Sequence, residues 1–303
     1  MLDDVKEWLA DRWASGLLGQ CLIGILLAVF IGGAGMGGYN IVNAKSADEC
    51  LPLKTELGAN NGAIGHHIVL LDPTDSLNDG EDGTIRDRVL KTVEREMDTI
   101  PRCDRLSLYT VEEVRPDLTH EVAGSPWQVP HRKSDAAGPD QNPETFEDDW
   151  NQQFRDPVRN AVLKTIRRKD QDSSPILEAV WLLSRLADFG PETRDRKLVI
   201  ISDMLQKSAL HGNGLTHYER RPDFEGFSDS AFARRYPLDL HGVTVEIEYL
   251  QRNRTLRFQT LAHCSFWRKL FERAGAKKVV IVDGPKGCSG ARLSRSAGQA
   301  SLL

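Results

Sequence analysis

The stretch Ile68-Val69-Leu70-Leu71-Asp72-Pro73-Thr74-Asp75-Ser76 is a short apolar run that ends in carboxyl and hydroxyl side chains. The stretch Leu198-Val199-Ile200-Ile201-Ser202-Asp203 repeats this pattern much later in the chain. A continuous apolar run of this length is typical of a strand buried on both faces of a parallel sheet. Because ligands bind beyond the carboxyl ends of such strands, the two polar endings are candidate site residues.

Helices and further strands alternate around these two runs. Their periodicity predicts helices at residues 84–97, 154–168, 175–189 and 258–274, and strands at 105–111, 119–122, 243–250 and 279–282. Alternation of this kind indicates a parallel sheet with helices on both faces. The predicted fold class is therefore α/β, with a doubly wound, mostly parallel six-stranded sheet preceded by one N-terminal transmembrane helix.

The transmembrane helix is predicted at residues 17–42. This segment opens with an uncharged run, Leu17 to Met36, and about 20 apolar residues suffice to cross the hydrocarbon core of a bilayer. A cleaved signal peptide is the alternative, because Val42-Asn43-Ala44 resembles a cleavage site. The preceding residues 1–16 are long and acidic, whereas a signal peptide begins with a short basic region. A retained anchor is the favoured interpretation.

The rest of the chain is predicted to form one large domain. After the amphipathic segment 1–16 and the span comes a polar linker, 43–65, and then the globular domain, 66–283. Two polar stretches, 124–150 and 204–240, are predicted insertions, and residues 284–303 are a predicted flexible tail. The net charge of -5 provides no basic surface for nucleic acid, so such a partner is not expected.

Oxygen-bearing side chains at the two strand ends predict a metal site. Asp72 and Asp203 converge if their strands are neighbours, Thr74 and Ser76 alternate with Asp72 in position, and Ser174 adds a hydroxyl from an intervening loop. Carboxylate and hydroxyl oxygens suit Mg²⁺, with Mn²⁺ or Ca²⁺ as alternatives. The predicted metal ligands are Asp72, Thr74, Ser76, Ser174 and Asp203.

At these positions the sequence resembles the von Willebrand factor A (vWA) family. The metal-ion-dependent adhesion site (MIDAS) of that family combines a DxSxS motif, a Thr in a later loop and an Asp after the fourth strand. Here these positions hold Asp72-x-Thr74-x-Ser76, Ser174 and Asp203. Only these short motifs are specific; over residues 66–283 the resemblance otherwise follows the order of elements.

The departures from the family pattern keep an oxygen at every ligand position. Thr74 replaces a Ser and Ser174 replaces a Thr, so each change exchanges one hydroxyl for another. Ser173 is the fallback for Ser174. Met204 stands after Asp203, where the family often has Gly. The resemblance therefore still implies an intact metal site.

The resemblance implies metal-dependent binding of a protein partner, and no enzymatic activity. In this family the metal keeps an open coordination position, which an Asp or Glu of the partner fills. The insertion 204–240 follows Asp203 directly and carries aromatic and Arg side chains, which are typical of interface anchors. The predicted partner-binding residues are Tyr218, Arg220, Arg221, Phe224 and Phe227.

Two other functions remain open for the same residues. A Mg-dependent aspartyl phosphatase of the haloacid dehalogenase kind also places an Asp after its first strand, but it needs a second Asp where this chain has Thr74. A structural membrane scaffold with a non-functional metal site is the other alternative, in which Asp72 and Thr74 only cap turns. The HExxH, GxSxG and Walker A motifs of other enzymes are absent from the sequence.

Four cysteines outside the span bear on localisation. On the predicted topology Cys50 and Cys103 lie at one edge of the sheet and Cys264 and Cys288 at the other, so disulfides 50–103 and 264–288 are sterically possible. Disulfides indicate an oxidising compartment, whereas four buried thiols in the cytosol are the alternative. We therefore predict a single-pass inner- or plasma-membrane protein with its domain on the periplasmic or extracellular side, although the Lys and Arg residues flanking the span favour neither orientation.

Self-association is expected through the span, where Gly33 and Gly37 match the GxxxG spacing of closely packed membrane helices. The variants Gly33→Ile and Gly37→Ile should lose a crosslinked oligomer, because the larger side chain keeps the helices apart. Crosslinking in native membranes measures this, with Ala28→Ile as a control in the same span. An oligomer signal that does not change in the glycine variants contradicts the expectation.

Overall fold

Parallel strands form the centre of the domain. Within the residues that the structure describes, seven strands make one sheet: β1 (His66–Leu71), β2 (Arg105–Val111), β3 (Thr119–Glu121), β4 (Trp127–Gln128), β5 (Arg196–Ser202), β6 (Val243–Tyr249) and β7 (Lys278–Val282). The computed structural model describes residues 64–73, 84–111, 119–136, 142–167, 173–208 and 223–288, all within the unit Gly58–Leu303. The predicted span at 17–42 lies outside these residues, and no helix among them is long and apolar enough to cross a membrane.

The order of the strands defines the topology. It runs β3-β2-β1-β5-β6-β7, with parallel pairing from β2 through to β7 and an antiparallel β3 at the edge. When the short β4 is set aside, this is the doubly wound order 3-2-1-4-5-6, with its switch point between β1 and β5. The predicted α/β class and six-stranded sheet are confirmed. The two-residue β4 is an addition that pairs with β2 beside β3.

Helices cover both faces of this sheet. They are α1 (Thr84–Thr99), α2 (Pro143–Asp149), α3 (Asp156–Ile166), α4 (Ile176–Leu183), α5 (Phe224–Ser228), α6 (Ala231–Arg235) and α7 (Leu261–Arg273). A π-helical turn, Trp150–Arg155, joins α2 to α3. After α7, Gly275 has a φ of +87°, the left-handed conformation that ends many helices and that glycine adopts without strain.

Each face of the sheet has its own hydrophobic core. Side chains alternate along β1, so Ile68 belongs to the core formed with α4 and α7, whereas Val69 belongs to the core formed with α1 and α3. Trp267 from α7 and Val93 from α1 are buried in these two cores. Burial on both faces explains why β1 and β5 are continuous apolar runs in the sequence.

The predicted insertions contain ordered elements. No helix or strand was predicted within the polar stretch 124–150, but it holds β4, a 3-10 turn at Lys133–Asp135 and α2. Trp127 and Trp150 from this stretch are buried in the core beneath α1. The sequence did not reveal these elements because each spans only two to seven residues, which is too short for a periodicity to show. The described part of 204–240 forms α5 and α6.

Two disulfide-bonded sites are described. Cys264 in α7 is joined to Cys288 after β7, as predicted, and both residues are buried. Cys103 is also disulfide-bonded, and Cys50 lies outside the described residues. The predicted pair Cys50–Cys103 therefore stays a prediction.

We expect the double variant Cys264→Ala/Cys288→Ala to have a free energy of unfolding lower by about 3 kcal/mol, because the bridge restricts the unfolded chain over a sizeable loop. The loop is closed across a sequence separation of 24 residues. Urea unfolding without reductant measures the difference, and reduction of the wild type is not a matched control because it also opens the bridge at Cys103. A double variant as stable as the wild type would show that the bridge contributes nothing.

Candidate metal site

Asp72 lies at the carboxyl edge of the sheet, directly after β1. Its backbone N–H donates to the Ile201 carbonyl at 3.0 Å, which continues the pairing of β1 with β5. Its Oδ2 accepts hydrogen bonds from the hydroxyl of Ser202 at 2.6 Å and from the hydroxyl of Ser174 at 3.0 Å. Since Asp72 is only 4% exposed, these two donors stabilise a carboxylate that water reaches poorly.

Ser174 reaches Asp72 from the loop before α4. Its backbone N–H donates to the Lys207 carbonyl at 2.8 Å, and the Lys207 N–H donates back at 2.9 Å, which joins this loop to the segment after β5. Ser174 directly precedes the helix predicted at 175–189, which is the usual position of an N-cap, but it does not cap that helix. The helix begins at Ile176 with Pro175 as its N-cap, and the Ser174 hydroxyl contacts Asp72 instead.

Asp203 follows β5 and is held from two sides. Its Oδ1 accepts a hydrogen bond from the Leu205 N–H at 3.0 Å, and its carbonyl accepts one from Gln259 Nε2 at 3.1 Å. Its Oδ2 lies 3.6 Å from Nε of Arg252, and both side chains of this ion pair are 5% exposed. Because Ser202 contacts Asp72 and precedes Asp203 in the chain, both carboxylates belong to one edge of the sheet.

Met204 gives the turn after Asp203 a left-handed backbone. Its φ is 61°, a conformation that costs a residue other than glycine about 1 kcal/mol or more. The Ser202 hydroxyl accepts from the Met204 N–H at 2.7 Å, and Trp267 Nε1 donates to the Met204 carbonyl at 2.9 Å. This turn explains a preference for Gly at the position. Met204 is accommodated because these hydrogen bonds and a fully buried side chain hold it.

Glu178 is buried in the first turn of α4 and connects that helix to the segment after β5. Its Oε2 accepts from Gln206 Nε2 at 2.8 Å, and its Oε1 contacts the Ser208 hydroxyl. Gln206 Oε1 in turn accepts from the Leu177 N–H at 2.8 Å. Burial is the largest effect on this carboxyl and raises the pKa of Glu178 to about 7, although a backbone hydrogen bond and Gln206 act in the opposite direction.

The donor atoms described at this edge fit a hard divalent cation. Asp72 and Asp203 provide carboxylate oxygens, which Mg²⁺ and related ions prefer. Ser174 and Ser202 direct their hydroxyl hydrogens toward Asp72, which leaves lone pairs on their oxygens for other contacts. Among the described residues, no group of three or more His, Cys, Asp or Glu side chains is placed to hold a metal.

The structure brings the predicted ligand Ser174 into contact with Asp72 and places Asp203 directly after β5, the strand that pairs with β1. Thr74 and Ser76 lie outside the described residues, and so do Tyr218, Arg220 and Arg221. Their predicted roles in metal and partner binding stay predictions.

Phe224 and Phe227 are the described members of the predicted partner-binding set. Phe227 is 8% exposed and packs edge-on against Phe266 of α7, with ring centroids 5.1 Å apart. Phe224 is partly buried, with its ring centroid 6.1 Å from that of Phe266. Because α5 covers α7, Phe227 lies in the core. Partner binding by Phe224 and Phe227 stays a prediction.

Several residues of the site were missed by sequence reasoning. Ser202 was noted only as the end of a strand, yet its hydroxyl makes the shortest hydrogen bond described to Asp72. Its place between an apolar strand and Asp203 was the signal available. Gln206, Arg252 and Gln259 carried no local signal, because their contacts join segments that are distant in the sequence.

Comparison with known proteins gives structural similarity only. No family model matches the sequence, and no curated protein matches it. Three similar solved structures are the von Willebrand factor type A protein from Catenulispora acidiphila (12% identity, TM-score 0.42, 74% of this chain and 40% of that one), the aerotolerance-related membrane protein from Bacteroides fragilis (10%, 0.36, 72% and 92%), and mussel proximal thread matrix protein 1 with a zinc-occupied MIDAS motif (11%, 0.32, 61% and 35%).

These structures share little sequence with this chain, and it spans less than half the length of the Catenulispora and mussel proteins. The fold assignment therefore rests on the strand order and the parallel pairing of the chain itself.

We expect the variant Glu178→Gln to flatten the pH dependence of stability. The folded-state pKa of Glu178, about 7, lies above its ordinary value of 4.5, so the stability linked to this proton is fully present below the ordinary value and is lost as pH rises through the folded value. From about pH 4.5 to about pH 8 the wild type should lose up to about 3 kcal/mol relative to Glu178→Gln.

Urea unfolding at a series of pH values measures this difference. Glu192→Gln, at an exposed position, is the matched control and should follow the wild type. Parallel curves for the wild type and Glu178→Gln would contradict the prediction.

Proposed function

We propose that this chain is a membrane-anchored vWA-type binding protein, which engages an acidic side chain of a protein partner through a divalent cation at Asp72, Ser174 and Asp203. Thr74 and Ser76, which follow β1 in the sequence, complete the proposed ligand set. The cation is Mg²⁺, with Mn²⁺ or Ca²⁺ as alternatives, and no catalytic step is part of the proposal.

The observation that carries the proposal is the contact of Asp72 with the hydroxyls of Ser174 and Ser202. A buried carboxylate that only capped a turn would need local backbone donors. Asp72 accepts from residues 102 and 130 positions away, contacts that a turn-capping role does not require, at the switch point where doubly wound sheets bind their ligands. The order Asp72, Ser174, Asp203 along the chain is also the order of the MIDAS motifs that the sequence resembles.

Each described residue has a specific part in the proposed binding. Asp72 supplies negative charge, and its hydrogen bonds orient the Ser174 and Ser202 oxygens toward it. Asp203 supplies a second carboxylate on a turn held by Trp267 through the Met204 carbonyl. A bound divalent cation would offer an open coordination position, which the partner's carboxylate completes.

The proposed location is a single-pass membrane protein with this domain on the periplasmic or extracellular side. The disulfide between Cys264 and Cys288 supports that side, because structural disulfides persist in oxidising compartments. The anchor itself rests on the uncharged run in the predicted span at 17–42.

Metal-dependent thermal unfolding tests the site directly. At a cation concentration about 100-fold above the dissociation constant, Mg²⁺ or Mn²⁺ should raise the Tm of the wild type by about 5 to 10 °C. Asp72→Asn and Asp203→Asn should lose this shift and should not retain a partner that the wild type captures without EDTA. These changes keep the side-chain shape and remove the charge that holds the cation.

Asp98→Asn is the control, because Asp98 is exposed near the end of α1 and its variant should keep the full Tm shift. A wild type whose Tm does not respond to any of these cations sinks the proposal, and so does a shift that Asp72→Asn retains. Turnover of p-nitrophenyl phosphate that requires Mg²⁺ and Asp72 would support the aspartyl phosphatase alternative instead.

A further inference from the structure

We propose that Arg252 is a counter-charge built into the metal site, which weakens its affinity for divalent cations until a partner's carboxylate is present. This inference rests on the proposed function, since it concerns the regulation of the same site. With Arg252 in place, the cation and the partner each bind strongly only when the other is also bound.

Arg252 lies beside Asp203 at the carboxyl edge of the sheet. The chain leaves β6 alongside β5, where the Leu250 N–H donates to the Ser202 carbonyl at 2.9 Å. Two residues later the Arg252 guanidinium lies beside Asp203, with Nε 3.6 Å from Oδ2. Arg252 therefore presents its positive charge to a carboxylate that the proposed cation also needs.

Arg252 is held in place through its backbone. Its backbone N–H donates to Gln259 Oε1 at 2.9 Å, while Gln259 Nε2 donates to the carbonyls of Asp203 at 3.1 Å and Leu250 at 2.8 Å. Gln259 is 2% exposed. One buried amide thus links the backbone of Arg252 to the backbone of Asp203, so the ion pair does not depend on a mobile surface side chain.

The positive charge of Arg252 should weaken the binding of a divalent cation at Asp203. A surface ion pair would be weakened by water and salt, but both side chains here are 5% exposed. A positive charge within about 4–6 Å of a carboxyl group commonly weakens proton binding to that group by about 10- to 1,000-fold. A divalent cation at Asp203 meets the same repulsion from Arg252, and metal affinity in proteins follows the net charge of the ligand set.

A partner's carboxylate would restore the missing negative charge. The described carboxylates Asp72 and Asp203 carry two formal negative charges, and Arg252 reduces their sum to one. The arriving carboxylate brings the sum back to two, so it should raise cation affinity. By linkage, the cation must raise the affinity for the partner by the same factor.

Mn²⁺ binding measured by calorimetry and by electron paramagnetic resonance tests the role of Arg252. Arg252→Gln should bind Mn²⁺ at least about tenfold more tightly than the wild type, while Arg252→Lys, which keeps the charge, should stay as weak as the wild type. Arg252→Met removes the charge and keeps an apolar stem, so it makes the same test if the Gln variant does not fold. Arg254→Gln, which removes a charge at a nearby exposed position, controls for net charge and should not change the affinity.

The outcomes separate this inference from the proposed function. Tighter Mn²⁺ binding in Arg252→Gln or Arg252→Met, but not in Arg254→Gln, supports the counter-charge. Binding that Asp72→Asn abolishes but that neither charge-removing variant strengthens overturns the role of Arg252 and leaves the metal site standing. If neither the wild type nor the charge-removing variants bind Mn²⁺ through Asp72, the proposed function itself fails, and the inference fails with it.

Discussion

The carboxylate of Asp72 is where three distant segments of the chain meet. The end of β1 carries Asp72, the end of β5 brings the Ser202 hydroxyl, and the loop before α4 brings the Ser174 hydroxyl. A buried carboxylate needs such donors, because desolvation without hydrogen bonds costs several kcal/mol. The same requirement fixes the loop before α4 against the segment after β5, so satisfying one charge also defines the geometry of the candidate site.

Buried charges elsewhere in the domain are satisfied differently. Beneath α1, His67 Nδ1 lies 2.5 Å from Glu96 Oε1, and Lys197 contacts Glu96 and lies 3.1 Å from Glu246 Oε2. There, positive and negative side chains form a paired network across the strands. At the carboxyl edge, Asp72 accepts hydrogen bonds from the neutral hydroxyls of Ser202 and Ser174. These two hydroxyls stabilise the carboxylate of Asp72 without adding a positive charge, which suits the cation site proposed there.

The sequence predicted the fold because burial on both faces leaves a pattern in the chain itself. The continuous apolar runs of β1 and β5, and the alternation of strands with helices, indicated the doubly wound sheet, and the strand order confirms it. Short elements were not predicted, because they leave no such pattern in the chain. β4 and α2 are too brief to display a period, although Trp127 and Trp150 contribute to the core. The burial of Phe227 against α7 was not visible in the sequence, because its neighbours in the chain are mostly polar.

The sequence alone determined which residues end the central strands, since Asp72, Ser202 and Asp203 follow the apolar runs directly. It also determined the hydroxyl at Ser174 and the two cysteines that pair at α7. Only the tertiary structure decided that Ser174 contacts Asp72, that Arg252 and Gln259 hold Asp203, and that Met204 adopts a left-handed turn. Those contacts join segments that approach each other only when the sheet is complete. A pattern along the chain reports which face of an element is buried, whereas the partner of a charge depends on which elements become neighbours.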